Sequence, residues 1–429
     1  FRIMKKVNAG IIGLGTIGSG VYKILNQRKS KIKKEYHIEI DIKKCCDISE
    51  ASRKRLKIPK KNFTKDYNDI TSSNEIDIVI ELIGGTNVAY AISKEALKNK
   101  KNLVTANKAL LAHKGRELRK LSTANDVSIG YEASVGGGIP IINSIKDSIL
   151  VNNITSFWGI LNGTCNYILT LMSEGIDFSK SLTMAQKEGF AEADPTLDIN
   201  GKDTAHKVTV LCQTCFNLNL NVNQIYTQGI EDISSYDIEV AKNLGYEIKL
   251  LGISRIINKE LDARVHPTLI SKESPLANVE NEFNAILVNS NNLGPFMGYG
   301  YGAGMLPTAS AIVADIVRVS SSANNQSNLQ PEPKLSLKKF ENVKSKFYLR
   351  IMIKDIPGNL GKVTSILGKY KINIDKVIQN NISNKLKVIP VIILTKSLEL
   401  KVLNKALSTM TKSKLIQRGS LIIPVEDFA

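Results

Sequence analysis

The chain has 429 residues, 43% of them apolar, which is enough for two or three domains with real cores. Its formal charge of +18 comes from basic residues spread along the whole length, and only 6% of residues are aromatic, so no nucleic-acid groove is indicated; the excess favours anionic cofactors and acidic substrates instead. No apolar run reaches membrane-spanning length, the opening residues do not read as a signal peptide, and the five cysteines form no framework pattern, so a cytoplasmic protein without a membrane partner is expected.

In chain order, Val7–Ile12 reads as a strand that feeds Gly13-Leu14-Gly15-Thr16-Ile17-Gly18, and Ser19–Gln27 then reads as a helix. Strand, GxGxxG and helix in that order point to a dinucleotide site rather than an ordinary glycine turn: Gly13 makes the tight turn, Gly15 admits a pyrophosphate, and Gly18 lets helix and strand pack closely. Further strands are expected at His37–Cys46, Ile76–Leu82, Asn102–Thr105 and Val127–Tyr131, separated by helical patterns, which implies a mostly parallel, doubly wound sheet. Glycine turns follow two of these strands, at Gly84-Gly85-Thr86 and at Gly136-Gly137-Gly138. The domain boundaries expected are 5–145 for dinucleotide binding, completed by 300–322, then 146–299 for the substrate. The polar, proline-containing stretch Ser320–Lys334 reads as linker, and with its flank the linker is set at 323–344. Residues 345–429 follow as a third domain. Its pattern is strand Phe347–Ile353, helix Leu360–Tyr370, strands Ile372–Ile378 and Leu386–Leu394, helix Leu398–Met410 and strand Leu415–Pro424, a ferredoxin-like βαββαβ order.

The segment from Glu188 to Lys207 concentrates chemistry. Gly189, Pro195 and Gly201 keep its first part irregular, and the apolar spacing of Val208, Val210, Leu211 and Phe216 then suits a helix from about Lys202. Asp203 and Lys207 stand four apart on that helix and share a face. Below a loop bearing Glu192, Asp194 and Asp198, such a pair suits binding of a cationic amino group and protonation of a nearby oxygen. The same segment also reads as a divalent-cation loop or a solvated acidic turn, although a calcium loop calls for acids at alternate positions and no closing lysine.

Several long motifs in order carry a resemblance over about 7–425: Gly13–Gly18, Glu81-Leu82-Ile83-Gly84-Gly85-Thr86, 104–112 (VTANKALLA), Gly136-Gly137-Gly138-Ile139-Pro140, Gly159-Ile160-Leu161-Asn162-Gly163-Thr164, the acidic segment and Gly302-Ala303-Gly304. Together they resemble homoserine dehydrogenase with a C-terminal ACT domain. The resemblance implies an α/β fold with a Rossmann-type dinucleotide domain, an α+β substrate and dimerisation domain, and a ferredoxin-like ACT domain. The implied reaction is reversible reduction of L-aspartate 4-semialdehyde to L-homoserine with NADH or NADPH.

In the implied roles Lys207 is the proton donor and Lys108 the second donor, while Asp203 orients Lys207. Glu192 and Asp198 hold the substrate ammonium, and Gly163 and Thr164 lie near. Gly13, Gly15, Thr16, Ile17, Gly18, Gly84, Gly85, Thr86, Lys108, Gly302 and Gly304 contact the cofactor. A monovalent cation (Na+) is implied at backbone oxygens of Glu132, Val135, Gly137 and Ile139. Asp355 and Gly358 open the helix of the ACT domain, implying L-threonine as effector and a homodimer or homotetramer. Taken alone, Lys108 reads first as a surface lysine at a helix start, and Asp203–Lys207 can read as an exposed ion pair worth little stability.

Coenzyme choice stays open between NAD and NADP. Asp47 after the second strand suits an NAD ribose and tips the balance slightly that way, whereas Arg53, Lys54 and Arg55 suit a 2′-phosphate or a solvated helix face. Cys165 invites a thiol-nucleophile reading that aldehyde reduction does not need, Cys212 and Cys215 suit a buried helix face better than a redox pair, and His206 points away from Lys207. Aspartate-semialdehyde dehydrogenase is the rival enzyme, but it needs a catalytic cysteine with a histidine, and His37, His113, His206 and His266 give no such pairing. An amino-acid sensor on a degenerate dehydrogenase body is the non-enzyme rival, and the intact Lys108, Glu192, Asp203 and Lys207 oppose it. A fused aspartate kinase is not expected at this length.

Overall fold

The computed structural model describes residues 4–149, 151–321, 331–379 and 388–428. Residues 323–330 of the expected linker and the first residues of the expected strand at 386–394 lie outside them. The chain forms two compact units, one of Phe1–Thr155, His206–Gln224 and Asn284–Pro333, the other of Ser156–Ala205, Ile225–Phe283 and Lys334–Ala429.

The first unit is built on a six-stranded sheet of β1 (Lys5–Ile12), β2 (Ile38–Cys46), β3 (Phe63–Thr64), β4 (Ile78–Glu81), β5 (Asn102–Thr105) and β6 (Ile129–Gly130). Every pairing is parallel and the spatial order is β3-β2-β1-β4-β5-β6. That is the doubly wound dinucleotide order, and its ligand crevice opens where the order reverses, between β1 and β4. The strands read as near-continuous Val/Ile runs because helices cover both faces. The helix after β1 spans Thr16–Tyr36, longer than expected, and packs with the helix Met305–Ser321 into one apolar core through Val21, Leu25, Ala309, Ile312 and Ile316.

The second unit holds a mixed sheet. Strands Tyr246–Ile257 and Glu260–Ser271 form a long hairpin whose two-residue loop, Asn258 and Lys259, has positive φ at both positions (51° and 64°), matching the twist of the flanking strands. Leu421–Glu426 pairs parallel to Glu260–Ser271 on one side and antiparallel to Lys344–Lys354 on the other. Val388–Thr395 and then Ile374–Ile378 complete it, both antiparallel. With helices Asn359–Lys369 and Leu400–Lys412 this is the βαββαβ order of a ferredoxin-like layer. Its own core is formed by Phe347, Leu349, Val391, Ile393, Leu367 and Leu403.

Where Leu421–Glu426 joins the hairpin, three charged groups are buried together beside the half-buried Arg255. Arg264, 0% exposed, reaches Glu426 at 2.7 Å and also pairs with Asp262, while Arg255 reaches the same two acids at 2.6 and 3.0 Å. Trp158 Nε1 donates to Glu426 at 3.2 Å. Burial alone would raise the Asp262 carboxyl, but the two guanidinium groups outweigh it and hold it below the usual range. Arg264 Nε also donates to His266 Nε2 at 2.9 Å, so the His266 proton sits on Nδ1, 2.8 Å from the Pro267 carbonyl. Burial first, and the Arg264 charge second, push His266 down to about 3.

His266 therefore stays neutral in the folded protein while the unfolded chain binds a proton near pH 6.5. As pH falls below that value the unfolded state gains protons the folded state refuses, and stability falls by ~1.4 kcal/mol per pH unit from this group. Urea midpoints between pH 7 and pH 5 should fall less steeply in His266→Gln than in the unmodified chain; equal slopes would remove His266 as the cause.

Candidate functional site

The glycine loop after β1 is held by sterics and two side chains. Gly13 has φ of +97°, and a Cβ on Gly18 would stand 1.9 Å from the Gly13 carbonyl oxygen, so only glycine permits this approach of helix to strand. Gly15 and Thr16 are exposed, Ile17 is half-buried, and the helix start has no side-chain cap and no acid in its first turn. Its backbone N–H groups and positive dipole end are thus presented to an anion. Asp47 accepts from Leu14 N at 2.7 Å and from Ser49 N at 2.8 Å, which fixes the end of β2 beside the loop. Arg55 reaches the same loop, with Nη2 3.0 Å from Leu14 O and 2.9 Å from Ser19 Oγ, while Arg53 is engaged by Glu50 and Ile58.

A buried relay connects the next two strand ends. Glu81, 0% exposed, accepts from Thr105 Oγ1 at 2.7 Å and from Ile83 N at 2.9 Å, and burial raises its carboxyl despite those bonds. Thr105 Oγ1 in turn accepts from Asn107 N at 3.0 Å, and Asn107 Nδ2 donates to Gly85 O at 2.6 Å. The exposed turn at Gly84 and Gly85, leading to half-buried Thr86, is thereby tied to the start of the helix Lys108–Ala124, which Asn107 caps through Leu110 N. Lys108 is half-buried at its first position. This helix is docked on the later helix His206–Phe216 portion through Arg119 Nη1 to Gln213 Oε1 at 2.9 Å and Gln213 Nε2 to Leu111 O at 3.3 Å. The expected helix is present as Lys202–Phe216, with Asp203 and Lys207 on it, both buried.

In the second unit one amide gathers two of the expected acids. Asn162 Nδ2 donates to Asp198 Oδ1 at 2.8 Å and to Asp203 Oδ2 at 3.0 Å, while its Oδ1 accepts from Cys165 N at 2.8 Å and caps the helix Gly163–Ser173. Gly163 and Thr164 open that helix, with Thr164 Oγ1 donating to Phe190 O at 2.5 Å. Glu192 is exposed on the same acidic segment, and Gln186 Nε2 donates to its carbonyl at 3.2 Å. Cys165 is buried with Sγ 3.2 Å from Asp198 O, as a packed thiol would be. Sequence reasoning gave Asn162 no individual role. Its position at a helix start three residues before an amide it caps was the available signal.

After β6, the Glu132 carboxylate accepts from Ile142 N at 2.7 Å and Asn143 N at 2.8 Å, and Glu132 N donates to buried Asp315 at 2.7 Å. Burial, with the Asp315 charge adding, pushes Glu132 up to about 7. Val135, Gly137 and Ile139 lie in the turn that follows, where Gly138 N donates to Tyr301 O at 3.0 Å, so the turns at Gly136–Gly138 and Tyr301–Gly304 meet. Among the described residues no group of three or more His, Cys, Asp and Glu side chains is placed to hold a metal ion, and no helix is long and apolar enough to cross a membrane. Asp355 and Gly358 are exposed ahead of the helix Asn359–Lys369, which starts at Gly358 in a left-handed conformation (φ +85°).

A doubly wound parallel sheet with this loop defines the class: a dinucleotide-binding α/β protein. Family models agree in both parts, one described as homoserine dehydrogenase, NAD binding domain, over residues 13–132, the other as homoserine dehydrogenase over residues 140–317. The chain is 38% identical to the homoserine dehydrogenase of Neisseria gonorrhoeae, covering 99% of each chain, and 36% identical to that of Bacillus subtilis, covering 91% of this chain and 92% of the other. It also resembles the crystal structure of a homoserine dehydrogenase from Thiobacillus denitrificans over 100% of both chains (TM-score 0.93, 36% identity). A hyperthermophilic archaeal homoserine dehydrogenase in complex with NADPH covers 76% of this chain and 100% of its own (TM-score 0.64, 25% identity). The chain belongs to the homoserine dehydrogenase family, oxidoreductases acting on a CH–OH group.

The buried relay ties the glycine turn expected at the dinucleotide to the start of the helix Lys108–Ala124. Thr105→Val keeps the shape of the strand end but removes the hydroxyl that links Glu81 to Asn107. Fluorescence titration with the reduced dinucleotide should show affinity lowered by about 5- to 20-fold, the range for one lost buried hydrogen bond with a carboxylate left short of a donor. Unchanged affinity would leave the relay with a structural role alone.

Proposed function

We propose that L-homoserine and L-aspartate 4-semialdehyde are interconverted here with Lys207 and Lys108 at the reacting oxygen and with Glu192 and Asp198 at the substrate ammonium. The bound nicotinamide supplies or accepts the hydride. Negative charge developing on the aldehyde oxygen then calls for a cation that can also deliver a proton, and Lys207 is cast in that part with Lys108 as second donor. Asp203 orients Lys207 one helical turn away. The observation that carries this reading is the Asn162 amide, which holds Asp198 and Asp203 together at 2.8 and 3.0 Å. Two carboxylates kept as neighbours favour cations beside them, the substrate ammonium at Asp198 and the Lys207 side chain at Asp203.

Either dinucleotide is accommodated in this reading. The glycine loop fits a pyrophosphate at its uncapped helix start; Asp47 supports NAD through its place beside the loop, and Arg55 supports NADP through its guanidinium at Leu14 and Ser19. The NADPH complex of the archaeal relative adds to the second. A monovalent cation would be held by backbone oxygens of Glu132, Val135, Gly137 and Ile139. The positive φ of Gly136 and Gly137 (70° and 55°) suits a turn that gathers carbonyls, while the Glu132 carboxylate is committed to two backbone amides. The C-terminal βαββαβ layer is assigned as an ACT domain that binds L-threonine near Asp355 and Gly358 and pairs chains into a homodimer or homotetramer. Five free cysteines, four of them buried, support a cytoplasmic setting.

Lys207→Ala should lower kcat by about 1,000-fold or more while dinucleotide affinity stays within a factor of about two. Turnover near that of the unmodified enzyme would remove Lys207 from the proton-donor role. Absorbance at the nicotinamide band, with L-homoserine and either NAD or NADP, should show which dinucleotide is reduced faster. Adding L-threonine should slow the reaction, and a rate indifferent to L-threonine would leave the C-terminal layer as an assembly module.

A further inference from the structure

Asn284, near the start of the strand Phe283–Ser290, is 0% exposed, and neither its Oδ1 nor its Nδ2 finds a hydrogen-bond partner among the described residues. Burying an amide without partners is destabilising, and a leucine of similar shape would avoid that cost. The fold by itself therefore gives no reason for an asparagine here.

Its surroundings do. The amide lies directly against Gly302, where a Cβ would stand 2.0 Å from Nδ2 and 2.5 Å from Oδ1. Gly302 O in turn lies 2.5 Å from where a Cβ on Gly137 would be, so the turn at 301–304 lies against the amide and also against the turn after β6. Tyr301, Ala303 and Gly304 are exposed, Gly302 is half-buried, and the turn leads into the helix Met305–Ser321. That helix packs beside the start of the helix Thr16–Tyr36: a Cβ on Gly20 would lie 2.9 Å from Met305 Cγ. An unsatisfied amide thus sits under an exposed glycine turn adjoining the helix that presents its N-terminus to the dinucleotide.

We infer that Asn284 is a positioning residue for this turn: its amide hydrogen-bonds the backbone of residues 301–304 in the dinucleotide-bound enzyme and fixes the turn against the cofactor. The inference rests on reading Gly302 and Gly304 as cofactor contacts. Glycine at 302 is then required because the amide must lie against the backbone itself, and the partners missing in this arrangement are peptide groups that shift by a small rotation of the turn. No bond to substrate is involved, so the effect falls on dinucleotide binding.

The test pairs Asn284→Leu and Asn284→Ala with Ala303→Asp, which sets a negative charge on the exposed turn. Each full-length enzyme is assayed for Tm, dinucleotide Kd, and KM for dinucleotide and for L-homoserine. Asn284→Leu should keep or raise Tm, since it removes an unsatisfied buried group, yet raise Kd and KM for the dinucleotide by about tenfold, the size expected for one lost hydrogen bond, without moving KM for L-homoserine. Asn284→Ala should repeat the loss of affinity if the leucine variant fails to fold. A Tm kept or raised with dinucleotide affinity unchanged would overturn the inference, as would a fall in Tm that weakens both ligands alike. Ala303→Asp should weaken dinucleotide binding by charge repulsion with the phosphates. Unchanged binding in that variant would take the turn away from the cofactor and defeat the underlying reading, whereas weakening there with none in the Asn284 variants would defeat the Asn284 inference alone.

Discussion

Two carboxylates repel unless something electropositive lies between them, and in this chain one neutral amide donates to both. The two N–H groups of Asn162 go one each to Asp198 and Asp203, and its oxygen caps the helix that begins at Gly163. The three bonds use both of its donors and fix the side chain in one rotamer. The irregular segment carrying Asp198 and the helix carrying Asp203 and Lys207 are therefore aligned by one residue, and the acid–base reading of the site depends on that alignment. An aspartate at 162 would put three carboxylates together, and an aliphatic residue would remove the amide that both acids accept from.

A comparable constraint binds the C-terminal layer to the rest of its unit. Leu421–Glu426 is at once the last strand of the βαββαβ layer and a neighbour of the hairpin strand Glu260–Ser271. The buried ions at that seam make it costly to open: a guanidinium as enclosed as Arg264 loses its compensation if Glu426 leaves, a loss of order 3–5 kcal/mol for such pairs. A second clasp forms where Tyr348 OH donates to Asp237 at 2.9 Å and Arg350 pairs with the same carboxylate, which also completes the capping box of the helix Ser235–Asn243. The C-terminal layer is thus joined to its neighbour by sheet pairing and by ions together, not by chain connection alone.

Elements with a local signature were legible in the sequence. The strand, glycine loop and helix near the N-terminus were placed by residue types that allow little else, and the helix at Lys202 was placed by apolar spacing. The first helix was expected to end near Gln27 but runs to Tyr36, because 28–36 carries a single buried apolar residue, Ile32, and its lysines contribute helix propensity that periodicity does not register. What sequence could not show are pairings across long separations. Glu132 with Asp315, Arg264 with Glu426, and the Glu81–Thr105–Asn107 relay each join residues whose neighbours give no hint of the partner. The orphaned amide of Asn284 belongs with these, since nothing around it in sequence distinguishes it from an ordinary strand residue.

The most direct test of this account is calorimetric titration of L-homoserine into the enzyme with the oxidised dinucleotide bound, comparing the unmodified chain with Asn162→Leu. If Asn162 positions Asp198 for the substrate ammonium, the variant should bind L-homoserine about 100-fold more weakly or worse, the scale of a misplaced binding group, while its affinity for the dinucleotide is preserved. L-Homoserine affinity equal to that of the unmodified enzyme would contradict the placement of Asp198 at the substrate ammonium.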